Sequence, residues 1–255
     1  MREMLEHTEP PTGSASSAPS PSPSPSQSLA ALAERFWQFQ RHEFPLTALL
    51  AAQPVDDDPT MFREAPADAA RRAGRAQAML AELQGIGTCT LPLHDRITHR
   101  LLQRELEDLR DVHATLSHLK PWWLPVGPEF STIYFANQSQ VGDAASARRY
   151  AERLDTLPGY LADVLASAQA GFEQGLRIPR VVLGGTIAGL RAVTTGAAED
   201  SPWFGPFKRS PAAAQAGVAA QAGRARDTVE RGIVPALRAL ADGFEQDLLP
   251  QARDT

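Results

Sequence analysis

The chain predicts an all-α fold, a multi-helix array of antiparallel helices joined by long aromatic and proline-rich loops. Three observations carry this expectation. Apolar residues recur at steps of three and four over most of the chain. No segment sustains the apolar–polar alternation of a half-buried strand. Prolines stand where helical patterns start or stop, as at Pro45, Pro158, Pro179 and Pro211.

At 255 residues, with 43% apolar and 22% charged side chains, the chain has material for a substantial core. A net charge of −5 argues against a general attraction to nucleic acid or to an anionic membrane. The basic residues are almost all arginine, Lys120 and Lys208 being the exceptions, which favours forked ion pairs. The single cysteine, Cys89, allows no intramolecular disulfide, and no neighbouring histidine activates it. "MREMLEHTEP" lacks the apolar stretch of a secretory signal, and no run approaches the ~20 apolar residues that span a bilayer. A cytoplasmic protein is expected.

Residues 1–27 read as a Pro/Ser-rich tail that cannot bury enough apolar area to offset its ordering entropy. The helical domain is expected over residues 28–255. Ser28 is the expected first cap, followed by Leu29, Leu32, Phe36 and Phe39 at helical spacing. "AAQPVDDDPTMFREAP" reads as a loop, and Asp56, Asp57 and Asp58 lack the spacing and glycine of a calcium loop. A second helix is predicted from Ala67 to Gln84, with Ala69, Ala73, Ala76, Leu80 and Leu83 facing inward.

The strongest helical pattern covers residues 93–119. Ile97, Leu101, Leu109, Val112, Leu116 and Leu119 form its expected inner stripe, and Glu105 fills the one gap in it. A carboxylate there should be buried, so it needs a partner or a proton. Two readings stand: an ion pair with an arginine of a neighbouring helix, or an acid, base or substrate anchor lining a cleft.

"KPWWLPVGPEFSTIYFANQSQVGD" breaks the helical pattern and gathers aromatic and amide side chains. Such a loop either covers a helical core or lines a cleft, in which case Trp122, Trp123, Tyr134 and Asn137 would join Glu105 as ligand contacts. Helices are expected again over 144–157, 158–176 and from Pro179 onward. Gly184, Gly185 and Gly189 match neither a dinucleotide nor a P-loop spacing and predict close helix packing. Trp203, Phe204 and Phe207 should plug a core from a proline-bracketed loop, and Pro235 should kink or divide a final helix over 211–249.

Self-sufficient active-site chemistry is missing. The histidines His94 and His99, and His113 and His118, are five apart, so each pair should point about 140° apart on a helix at 100° per residue. No His-Glu-x-x-His pattern, nucleophile elbow or basic–aromatic stripe occurs.

Four stretches nevertheless resemble a large bacterial family, domain of unknown function 885. "LAERFWQFQRHEFPLTALL" looks like its opening helix, and "HDRITHRLLQRELEDL" like its second signature. "RIPRVVLGGTIAGLRAV" with "EDSPWFGPFKRSP" is similar to its third, and "VERGIVPALRALADGFEQDLLPQARDT" to the helix before its catalytic half. The family is generally regarded as zinc-metallopeptidase-like hydrolases with a helical body around a deep cleft. The resemblance thus implies an N-terminal half whose zinc and catalytic residues would lie beyond Thr255, with no catalytic residue or metal ligand here. Expected partners are a C-terminal catalytic half or a second copy of the chain, meeting it through an exposed apolar face. A stand-alone interaction or small-molecule-binding module is the alternative.

Overall fold

In the computed structural model, described over residues 23–45, 59–60, 63–119 and 127–254, the first described helix begins earlier than the sequence suggests. Helix α1 spans Pro25–Glu43, and its cap is Ser24 rather than Ser28. The Ser24 hydroxyl accepts from the Gln27 N–H, and the Gln27 side chain accepts from the Ser24 N–H, a reciprocal capping box with proline at N1. Residues 1–22, with most of the expected tail, lie outside the described residues, as do Asp56, Asp57 and Asp58.

Helices α2 (Pro66–Gln84) and α3 (Leu93–Ala114) form a hairpin against α1. The core between them is built from Leu29, Leu32, Ala76, Leu80, Leu83, Leu102 and Leu106. The inner stripe expected for α3 is therefore corrected. Leu106 is fully buried, whereas Leu101 is 63% exposed, and Leu93, Ile97 and Val112 also face outward. Glu105 follows that outer face: it is exposed and forms no ion pair among the described residues, so it is not a buried carboxylate. α3 carries two apolar stripes about 100° apart, and packing against α2 selects the Leu102–Leu106 one.

After α3 the chain reverses through Leu116, whose φ of 57° is left-handed, into a short 3₁₀ turn, Ser117–Leu119. This reversal overturns the expected divergence of His113 and His118: their rings stack at 4.9 Å because the helix ends before His118.

The segment read as a loop contains helix α4, Pro128–Gln138. Its apolar and polar residues are spread around the helix rather than gathered on one side, so no periodicity betrays it. Proline at N1 starts it. Helices α5 (Ala144–Leu154), α6 (Leu157–Glu173) and α7 (Arg180–Ala192) follow at the expected places. The final helical run starts later than predicted, at Ala216, after turns that leave Ala213 and Ala214 exposed. It comprises α8 (Ala216–Thr228), a π-helical turn at Val229–Ile233, α9 (Val234–Gly243) and a second π-turn at Phe244–Leu248. The first π-turn ends just before Pro235, which cannot donate to the ladder, and the widened turn absorbs that loss.

These helices surround a second core containing Phe135, Leu154, Leu161, Leu183, Trp203, Phe207, Leu237 and Phe244. Trp203, Phe204 and Phe207 plug it as expected. The two cores meet where the Leu119 carbonyl lies 2.7 Å from the place a Gly171 Cβ would take. A second tie is the Ser167 hydroxyl, which donates to the Glu64 carbonyl at 2.7 Å. At the other end, the Arg180 N–H donates to the Arg253 carbonyl at 2.8 Å. Among the described residues no helix is long and apolar enough to cross a membrane.

Candidate functional site

Helix α4 brings a carboxyl against α7. Pro128 fixes the first turn, and Glu129 follows it with its carboxyl folded back toward Gly127. A side chain at Gly127 would collide with that carboxyl, and a Cβ at Gly189 on α7 would sit 2.9 Å from its Oε1. Gly189 therefore makes room for Glu129, while Gly184 and Gly185 face open space rather than a packed helix. The Thr132 hydroxyl donates to the Glu129 carbonyl at 2.7 Å, and the Trp203 indole N–H donates to that hydroxyl at 3.2 Å.

The Glu129 Oε2 is buried and finds no hydrogen-bond partner among the described residues. Burial raises the pKa of this carboxyl, opposed only by its own backbone N–H. Tyr160 on α6 is nearly enclosed. Desolvation pushes its phenol well above the usual range, the charges of Glu64 and Glu129 push the same way, and a hydrogen bond with the Ser131 side chain opposes them. Glu64, just before α2, is also raised by burial, with Arg72 pulling down and Asp68 and Asp163 pushing up. Asp163, one turn beyond Tyr160 on α6, is raised by burial and by Asp68.

The arrangement thus shifts several acids and a phenol toward their uncharged forms. A carboxyl that takes up a proton is a hydrogen-bond donor, as the phenol is, and such donors suit a carbonyl or a developing oxyanion. It is also a source of one proton.

A pH dependence follows. The folded pKa of Glu129 lies above the unfolded one, so the fold is favoured while the carboxyl is protonated. That contribution is complete below the unfolded value, near 4.3, and is lost as pH rises through the folded value. Glu129→Gln, which cannot ionise, is therefore expected to be more stable than the parent at pH 7. The advantage should vanish near pH 4. Urea unfolding of both proteins at the two pH values measures this, and equal differences at both would mean that the carboxyl is not desolvated.

The residues singled out from sequence scatter. Trp122 and Trp123 lie outside the described residues. Tyr134 is half-buried and stacks on Phe130 at 5.9 Å, and Asn137 is exposed at the end of the same helix. Glu105 sits on the outer side of α3 and does not join them. Sequence reasoning missed Glu64, Glu129 and Tyr160. Glu129 had one signal, an acid directly after Gly-Pro in the aromatic stretch, whereas Tyr160 and Glu64 have none until the helices pack.

Among the described residues no group of three or more His, Cys, Asp or Glu is placed to hold a metal ion. His99 contacts the Leu83 carbonyl through Nε2, and the stacked His113–His118 pair leans on the Val112 carbonyl. Burial, countered by that carbonyl, lowers the His118 pKa.

No curated protein matches the chain. Among solved structures, a "putative lipoprotein" from Colwellia psychrerythraea shares the fold, with a TM-score of 0.73 at 18% sequence identity. The match covers 90% of this chain and 42% of that one, so the chain spans less than half the length of this relative. The family model for "Bacterial protein of unknown function (DUF885)" matches residues 46–255, and the chain therefore belongs to the DUF885 family.

Proposed function

We propose that this chain forms the helical wall of a hydrolase-like cleft and is not catalytic alone. The observation that carries the reading is Glu129, a carboxyl shifted toward its uncharged form by burial, with an oxygen that finds no hydrogen-bond partner among the described residues and a charge that bears on the Tyr160 phenol. When protonated, such a carboxyl would anchor a substrate carbonyl and stabilise charge developing on it. The reactive centre would come from a C-terminal half, since the family resembles zinc-metallopeptidase-like hydrolases and the match covers only 42% of the related chain. The outward stripe of Leu93, Ile97 and Leu101 on α3 offers an apolar face for that half or for a second copy. The same reading has the protein working in the cytoplasm, without nucleic acid or membrane partners. A lone exposed cysteine suits a reducing compartment.

The expected result is that the purified chain, dialysed against a chelator-free buffer, retains no stoichiometric zinc and cleaves nothing in a broad peptide screen. Zinc retained in a one-to-one ratio together with peptide turnover would overturn the proposal.

A further inference from the structure

The outer side of α3 combines an apolar stripe with charges divided along its length. Leu93, Ile97 and Leu101 recur at four-residue steps, each more than half exposed, and Val112 is exposed near the far end. Large apolar side chains gathered on one helix face mark an interaction surface, whereas scattered ones do not. The exposed arginines of the helix, Arg96, Arg100 and Arg104, all precede its exposed acids, Glu105, Asp108 and Asp111. The partly buried Asp95, Glu107 and Arg110 do not follow this division.

Within one helix that order is unfavourable. The macrodipole favours acids near the N-terminus and cations near the C-terminus, the reverse of this face. The Arg104–Asp108 pair runs cation first, the weaker orientation for residues four apart. Arg96 and Arg100 are exposed and form no ion pair among the described residues. Asp108 and Asp111 meet only Arg104 and Arg110 of their own helix, in exposed pairs that rearrange at little cost.

A face with this polarity is complementary to itself when turned end for end. A second α3 laid antiparallel brings its acids alongside Arg96 and Arg100, and the same match repeats at the other end. Leu93 of each copy then lies toward Val112 of the other, and the two Leu101 side chains meet near the two-fold axis. The two helix dipoles oppose and cancel. One surface thus serves both subunits, the condition for a closed two-fold pair.

We propose that the chain self-associates through the outer face of α3 as an antiparallel two-fold dimer. The dimer commits that face to one of the two occupants offered under the proposed function. It makes no use of Glu129, so its failure would leave the cleft-wall reading standing, and the reverse also holds. A contact limited to one helix pair, about 33 Å long, belongs to the small, transient class, with an expected Kd of about 10–100 µM.

The test is sedimentation velocity on the purified chain over about 1–400 µM, a range that brackets that Kd. A monomer–dimer equilibrium is expected, and raising the salt from about 50 to about 500 mM should weaken it at least threefold by screening the exposed pairs. Arg96→Glu/Arg100→Glu and Asp108→Arg/Asp111→Arg should each be monomeric, although both charge changes suit the helix dipole and should leave α3 folded by circular dichroism. Mixing the two variants should restore a dimer, because each supplies what the other lacks. Ile97→Ser/Leu101→Ser should also abolish dimers, and Glu230→Arg, exposed on the π-turn far along the chain, should leave them unchanged. The proposal is refuted if the parent stays monomeric throughout, if the folded charge variants dimerise like the parent, or if their mixture does not dimerise.

Discussion

Trp203→Ala is expected to lose about 3–5 kcal/mol of stability, the range for truncating a buried aromatic ring. The indole is fully buried in the larger core and is its largest enclosed side chain. It also ties elements together through polar atoms. Its N–H donates to Thr132, which in turn holds the Glu129 carbonyl, and its own carbonyl receives the Tyr150 hydroxyl. Truncation leaves a cavity and removes the donor to Thr132. Because whole domains are stable by only about 5–15 kcal/mol, this one change should bring the protein near its unfolding threshold at 37 °C. Urea denaturation should show a lower midpoint with an unchanged slope. Trp203→Phe, which keeps the ring but not the N–H, should cost less than half as much. A loss below 1 kcal/mol for the alanine variant would mean that the ring does not hold α4 in place.

The second large effect is expected at Glu43. Its carboxylate is buried at the end of α1 and accepts from both Nη atoms of Arg71, with 2.8 Å for the Nη2 contact, while Arg72 approaches to 3.9 Å. Arg72 is itself nearly buried, with its guanidinium 5.2 Å from the Phe44 ring centre and donating to the Arg63 carbonyl at 2.7 Å. Removing the acid strands two cations, one of them in the interior, and such a break costs about 3–5 kcal/mol. Glu43→Ala should show that loss in chemical denaturation. Adding Arg72→Met to it should recover part of the stability, since the uncompensated charge is then gone, and a double-mutant cycle measures the coupling. By contrast, Asp108→Ala, which breaks the exposed Arg104–Asp108 pair, should stay within about 0.5 kcal/mol. Similar losses at Glu43 and Asp108 would refute the buried-network account.

The resemblance to the family and the all-helical class were both legible in the sequence, because each rests on local pattern. Helical spacing, proline at first turns and the aromatic plug at Trp203, Phe204 and Phe207 are properties of short stretches. They keep their meaning before anything packs. What pattern could not supply was a choice between two equally periodic faces of one helix. On α3 the Leu93–Ile97–Leu101 stripe and the Leu102–Leu106 stripe are both apolar, and packing against α1 and α2 buried the second. That choice moved Glu105 into solvent and left Glu43, unremarkable in sequence, as the buried paired acid.

The same limit governs the candidate site. Glu64, Glu129 and Tyr160 stand 31 to 96 positions apart along the chain, and no spacing rule links them. Their shared shift toward the uncharged form is an effect of desolvation, which exists only once the helices pack. Local residues determined which segments are helical; the packed interior alone decided which acids would be buried, paired or pushed up in pKa, because burial is a property of neighbours far away along the chain.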